Sequence, residues 1–185
     1  MDRRWFRRAT QSPAPILDSI MFPLSRFADH GTLWVATAAA LHLTGRPALQ
    51  RAGRRGLLSL IVTSIIANVG FKPIFRRPRP LPVPDAWLTR IVPLPSSTSF
   101  PSGHASSAAG FAVGAALEAP LLAVPLGLLA AGVGWSRVRL RVHYPGDVMV
   151  GFAVGAAVAV ACRPIPVEKR REPEQAEAEP TELEN

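Results

Sequence analysis

Five stretches of this chain, residues 31–45, 56–75, 104–118, 120–135 and 147–163, are apolar all round when wound as helices. A helix without a polar face has to be surrounded by other apolar groups, in a protein core or in lipid. Tight links such as Glu118-Ala119-Pro120, and Trp34, Trp87 and Trp135 near the ends of the blocks, favour lipid, because interfacial aromatics belong at such ends. Several blocks fall short of the roughly 20 residues that a bilayer core asks for. Ahead of them, residues 16–29 place Ile16, Ile20, Met21, Leu24 and Phe27 opposite Asp18, Ser19, Arg26 and Asp29, the pattern of a short amphipathic helix lying in the membrane interface. The fold class expected is all-α: an integral membrane bundle of five spanning helices plus this N-terminal interfacial helix.

Composition narrows the chemistry. A mean hydropathy of +0.19 excludes a disordered or nucleic-acid-coating protein, so no nucleic-acid partner is expected despite a net charge of +8. One cysteine, Cys162, excludes a disulfide framework within the chain, and four histidines without ligand spacing point away from a metal enzyme. Seven of the thirteen acids lie in residues 168–185. This Pro/Glu/Ala-rich end reads as an acidic disordered tail, leaving residues 1–167 as the functional domain with 18 basic against 6 acidic groups. Pro13, Pro15, Asp18 and Pro23 interrupt what would be the apolar core of a signal peptide, so the start is expected to stay on the mature protein. The heptapeptide GFAVGAA occurs at 110–116 and again at 151–157, giving two GxxxG pairs that read either as packing seams or as chance in an Ala/Gly-rich chain.

Residues 76–103 form a long stretch with seven prolines, and a connection of that length in a compact bundle is usually functional. Following the blocks up and down brings three clusters to one membrane face. The run KPIFRRPRP supplies Lys72, Arg76, Arg77 and Arg79. The run PSGH puts Ser102, Gly103 and His104 at a helix start, where free backbone N–H groups can hold an oxyanion beside a proton donor. The run SRVRLRVHYPGD brings Arg137, Arg139 and Arg141 ahead of His143, with Asp147 four residues later, placed to polarise the imidazole. Cations gathered from distant positions need an anionic partner.

Together the segments K-x6-R-P (Lys72–Pro80), P-S-G-H (Pro101–His104) and S-R-x5-H-x3-D (Ser136–Asp147) resemble the three-part signature of the type 2 phosphatidic acid phosphatase superfamily, which also contains vanadium-dependent haloperoxidases. The resemblance spans about residues 16–163. It implies that His143 is the nucleophile and forms a phosphohistidine, that Asp147 orients it, and that His104 protonates the leaving group and then activates water. It implies further that Lys72, Arg79, Ser102, Gly103 and Arg137 hold the phosphoryl oxygens. Arg76, Arg77, Arg139 and Arg141 lie outside the signature as candidate headgroup contacts.

The function expected is hydrolysis of a lipid phosphate or diphosphate without metal or cofactor. Polyprenyl diphosphate, phosphatidic acid and phosphatidylglycerophosphate remain open as substrates, and the oligomeric state is not legible. Vanadate-dependent halide oxidation and a non-catalytic lipid-binding protein are the rival readings, one disfavoured by the small apolar chain and the other by the intact histidines. Arg46, Arg51, Arg54, Arg55, Arg163, Lys169, Arg170 and Arg171 on the opposite face lead to the expectation of a multi-pass cell-membrane protein with its catalytic side outside the cytoplasm, although Arg3, Arg4, Arg7 and Arg8 lie on the catalytic side and count the other way.

Overall fold

The computed structural model describes residues 2–11, 15–80 and 97–167. The described residues are helical, with no strand among them. Seven helices carry the fold: α1 (Asp2–Gln11), α2 (Pro15–Phe27), α3 (Thr32–Leu43), α4 (Pro47–Ile65), α5 (Gly103–Glu118), α6 (Ala123–Arg139) and α7 (Pro145–Ala161). After α4 the helix widens into a π-helical segment, Ile66–Phe71, and ends in the turn Lys72–Ile74. Two stretches, Pro47–Ile74 and Pro120–Arg139, are long and apolar enough to cross a membrane, while Pro145–Ala161 is apolar but shorter. The acidic tail and residues 81–96, with Trp87 and much of the proline-rich run, fall outside the described residues.

Helix α5 is the hub, packed along α4 on one side and α7 on the other. Both copies of GFAVGAA are packing seams. A Cβ at Gly110 would stand 2.7 Å from Thr63 Oγ1 on α4, and one at Gly151 would stand 2.8 Å from the Ser102 carbonyl; at Gly155 it would collide with the Ser106 carbonyl. Backbones this close leave room only for small residues, so the interior is built of Ala, Gly, Ser and Thr around Trp34 and Phe111, whose rings lie 5.1 Å apart. The large aliphatic side chains point outward: Val35, Ile61, Ile65, Val69, Leu128, Met149 and Val160 are all more than half exposed. A water-soluble bundle arranges its side chains the other way round.

At the far end from the histidines, Arg55 is buried and latches three helices. It donates to the Cys162 and Ile165 carbonyls at 2.8 and 2.6 Å and to Glu118 at 3.1 Å, so it works inside the protein instead of facing a membrane surface.

Helix α2 forms over nearly the span expected, and part of its polar side is taken up by the protein. Its Asp18 and Ser25 are buried toward the bundle, whereas Ile16, Ile20 and Phe27 face outward. The reason lies 121 residues away, where Arg139 grips both Asp18 carboxylate oxygens, at 2.6 and 3.1 Å. Buried charge has to be paired, and that need decides which face of α2 turns inward. Helix α1 has no counterpart in the sequence reading.

The seams give a stability prediction. Gly110→Val and Gly151→Val each force apart backbones already in contact and should destabilise the bundle by about 1–3 kcal/mol, the usual cost of overpacking. Thermal unfolding in detergent measures this; unchanged midpoints for both would show that the seams yield without strain.

Candidate active site

The three signature clusters meet in one cavity of about 300 Å³, the lower end of small-ligand sites. Lys72, Arg79 and Arg137 line it together with Gly103, His104 and His143. Lys72 stands directly after the π-helical segment that extends α4, and such widened turns recur at functional sites. Its Nζ donates to Asn68 Oδ1 at 2.6 Å.

The tautomer of His143 follows from its two neighbours. A guanidinium can only donate, so Nε2, 3.2 Å from Arg79 Nη1, must accept and therefore carries the lone pair. A peptide carbonyl can only accept, so Nδ1, 2.7 Å from the Ser99 oxygen, must carry the hydrogen. Both arguments give the same tautomer, Nδ1–H with the lone pair on Nε2, on a side chain that lines the cavity. Burial pushes this imidazole down to about 4, and the Arg79 and Arg137 cations push the same way against Asp147. The ring is neutral at physiological pH.

Asp147 was expected to hold His143 directly. The structure places its Oδ2 3.7 Å from Nδ1, too far for a hydrogen bond, because the Ser99 carbonyl occupies that donor. Asp147 acts through the segment around the ring instead. Its Oδ2 accepts from the Ser99 hydroxyl and, at 2.9 Å, from the Tyr144 amide, while Oδ1 accepts from Arg77 at 2.6 Å.

The directly bonded carboxylate belongs to the other histidine. Asp29, in the turn before α3, accepts from His104 Nε2 at 2.7 Å. That bond, with the charges of His104, Arg137 and His30 and against burial, holds the Asp29 carboxyl below its usual range. Asp29 was missed in the sequence because it reads there as one more polar position of the interfacial helix; the signal available was an acid directly before the first apolar block.

Arg137 is almost wholly buried, bonded to the Ser25 hydroxyl and 3.8 Å from Asp29. Its Nε has no partner among the described residues, an unsatisfied donor on a cavity-lining side chain. Arg79 is fixed by the Ser97 and Val142 carbonyls at 2.9 and 2.8 Å. Ser102 departs from expectation: fully buried, it turns its Oγ to the Ala105 amide and caps α5, while Gly103 lines the cavity. Of the four cations outside the signature, three are occupied within the protein. Arg77 bridges Asp147 and Asp2, Arg139 holds Asp18 and the Ala9 carbonyl, and Arg141 donates to the Thr10 carbonyl. Arg76 is exposed.

The family model of the PAP2 superfamily matches residues 54–171 of the chain. The chain belongs to this superfamily. It is 39% identical over 140 residues to decaprenylphosphoryl-5-phosphoribose phosphatase of Mycobacterium tuberculosis, covering 73% of this chain and 72% of that one. It is 30% identical over 165 residues to lipid A 1-phosphatase of Rhizobium johnstonii, with 80% and 67% covered. Among solved structures, phosphatidylglycerolphosphate phosphatase of Bacillus subtilis superposes with a TM-score of 0.66 at 25% identity, over 88% of this chain and 83% of that one. LpxE of Aquifex aeolicus superposes with a TM-score of 0.68 at 24% identity, over 87% and 93%. This PAP2 chain is an enzyme of the phosphatase class that its relatives represent.

The His143 environment predicts a titration. In the unfolded chain the ring takes up a proton near 6.5, whereas in the fold it does so only near 4. Between those values the unfolded state binds the extra proton, so this group makes the fold less stable as pH falls through the window and adds no further loss below it. Nitrogen-resolved NMR should show the Nδ1–H tautomer, neutral until near pH 4; protonation near 6.5 would contradict the burial assigned to the ring.

Proposed function

We propose that this PAP2 enzyme hydrolyses a phosphomonoester, or the terminal phosphate of a diphosphate, on a lipid by way of a phosphohistidine at His143. The observation that carries the reading is a neutral His143, whose Nε2 accepts from Arg79, lining one cavity with Lys72, Arg79, Arg137 and His104. In the first step the lone pair attacks phosphorus and the bond to the leaving oxygen breaks. That oxygen takes a proton from the His104 imidazolium, whose Nε2–H stays on Asp29 while Nδ1–H serves the cavity. In the second step water attacks phosphorus, His104 takes the water's proton, the P–N bond breaks and phosphate leaves. Three cations and the amides at the start of α5 neutralise the charge that spreads over the phosphoryl oxygens, and the open Arg137 Nε has a partner once an oxyanion is bound. Ser102 supports this site as the cap of α5.

The relatives' printed substrates, a decaprenylphosphoryl phosphoribose, lipid A and undecaprenyl diphosphate, are consistent with a lipid on the leaving group. We further propose that α3 to α7 are five spans, with α2 at the interface and the catalytic side outside the cytoplasm. The outward aliphatic side chains support burial in lipid. Arg46, Arg51, Arg54 and Arg163 at the other end, with Lys169, Arg170 and Arg171 next in the sequence, support the orientation against Arg3, Arg4, Arg7 and Arg8 on the catalytic side, now without Arg55, which is used internally.

The reading is tested by phosphate release in detergent, with EDTA present, from a panel of polyprenyl diphosphate, phosphatidic acid and phosphatidylglycerophosphate. Release from at least one is expected, and none from any would overturn it. Arg137→Lys should lower kcat by the equivalent of about 2.7–4 kcal/mol, the cost of losing one preorganised donor. Asp29→Asn should slow turnover of substrates with poor leaving groups far more than of an activated aryl phosphate; equal slowing would remove Asp29 from the proton-transfer step.

A further inference from the structure

We propose that α1 docks on an anionic bilayer surface through its outer face, and that its seating there is read by the active site through Asp2. The inference rests on the proposed role of His143 and Asp147. It starts from how α1 divides its residues. Asp2, Phe6, Ala9 and Thr10 fall on one side of the helix and are turned to the protein, while Arg3, Arg4, Arg7 and Arg8 form the opposite side and are exposed, with Trp5 61% exposed beside them. Four arginines on one turn-and-a-half of helix, with an exposed indole at their edge, fit a surface of anionic headgroups with an interfacial layer for the aromatic ring. No carboxylate on α1 faces them, because its one acid, Asp2, is turned inward.

The inner side is fastened to the catalytic segment at both ends. At the start of the helix, Asp2 Oδ2 accepts from Arg77 at 2.6 Å and Oδ1 accepts from the Gly146 amide at 2.9 Å. At its end, Arg139 and Arg141 donate to the Ala9 and Thr10 carbonyls, each at 2.7 Å. Between them, Phe6 and Ala9 pack against Ala105, Val138 and Val148, and the Phe6 ring lies 5.3 Å from Tyr144. Arg77 also stacks over Tyr144 at 4.3 Å and reaches Asp147 at 2.6 Å. Asp2 thus fixes the guanidinium that fixes the carboxylate behind His143, which makes it a positioning residue. If α1 lifts away, Arg77 loses a carboxylate partner and the first turn of α7 loses the acceptor on its Gly146 amide.

The test uses the full-length protein in vesicles of phosphatidylcholine, with and without phosphatidylglycerol, which carries anionic charge but no phosphomonoester. The wild type should gain kcat when phosphatidylglycerol is added, on the order of fivefold, the weight of about one arginine at an anionic surface, and high salt should remove the gain. The variant with Arg3, Arg4, Arg7 and Arg8 all changed to Gln should keep the activity seen in phosphatidylcholine and lose the gain. Asp2→Asn should lower kcat in both vesicles with KM unchanged, and Asp2→Glu should restore part of it. A quadruple variant that keeps the full gain, a wild type with no gain, or an Asp2→Asn enzyme with wild-type kcat would overturn the proposal. A wild type inactive on every lipid phosphate would overturn the catalytic reading instead. Docking is then read from hydrogen exchange in residues 2–11: protection on anionic but not neutral vesicles supports it, and equal exchange on both overturns it.

Discussion

A single buried carboxylate organises the active-site end of this protein. Asp147 is wholly excluded from solvent, and a charge in that position is tolerable only when each lone pair it turns inward meets a donor. Its donors come from three places: the Ser99 hydroxyl before α5, the Tyr144 amide before α7, and Arg77 after the α4 extension. The Asp147 carbonyl also accepts from the Ser102 amide at 3.0 Å, so the same residue joins the starts of α5 and α7 through its main chain. The packing of α5 on α7, where Gly151 and Gly155 admit the other backbone, is what allows that approach. Small residues at the helix–helix seams and the geometry of the polar end are two parts of one constraint.

The roles proposed for His143 and His104 follow from what each is bonded to. A peptide carbonyl on Nδ1 fixes the His143 ring without adding charge, and burial keeps the ring neutral, which suits a nucleophile. His104 is held instead by a carboxylate, Asp29, on its Nε2, a partner that fixes the ring and accepts its N–H. Of the three imidazoles on this cavity, His30, His104 and His143, the last two are proposed for different tasks because one is held by a carboxylate and the other by a carbonyl.

Much of this site was legible in the sequence, because phosphoryl chemistry limits the residue types able to perform it. Lys72, Arg79, Gly103, His104, Arg137 and His143 do line one cavity. The residues that support them were harder to read. Ser99 and Asp2 carry nothing in their local sequence that announces a partner, and Asp29 offers only its place before the first apolar block, since each acquires its role from a residue 44 or more positions away. The partner of the polar side of α2 was hidden for the same reason, as apolar periodicity cannot register that Arg139 will claim Asp18. The arginines outside the signature looked available for a headgroup when counted along the chain; Arg77, Arg139 and Arg141 are instead committed to α1 and α2. The repeat GFAVGAA was ambiguous as a string and became unambiguous only when both copies met backbone.

The central claim is that the Nε2 of His143 makes the bond to phosphorus. It is tested most directly by quenching the enzyme in acid-free denaturant during turnover of a labelled lipid phosphate and mapping the labelled peptide by mass spectrometry. The account predicts one phosphorylated residue, His143, with the label accumulating when His104→Ala slows the hydrolysis of the intermediate formed from a substrate with a good leaving group. Label on His104, on Ser102, or on any residue of a His143→Ala variant would contradict it.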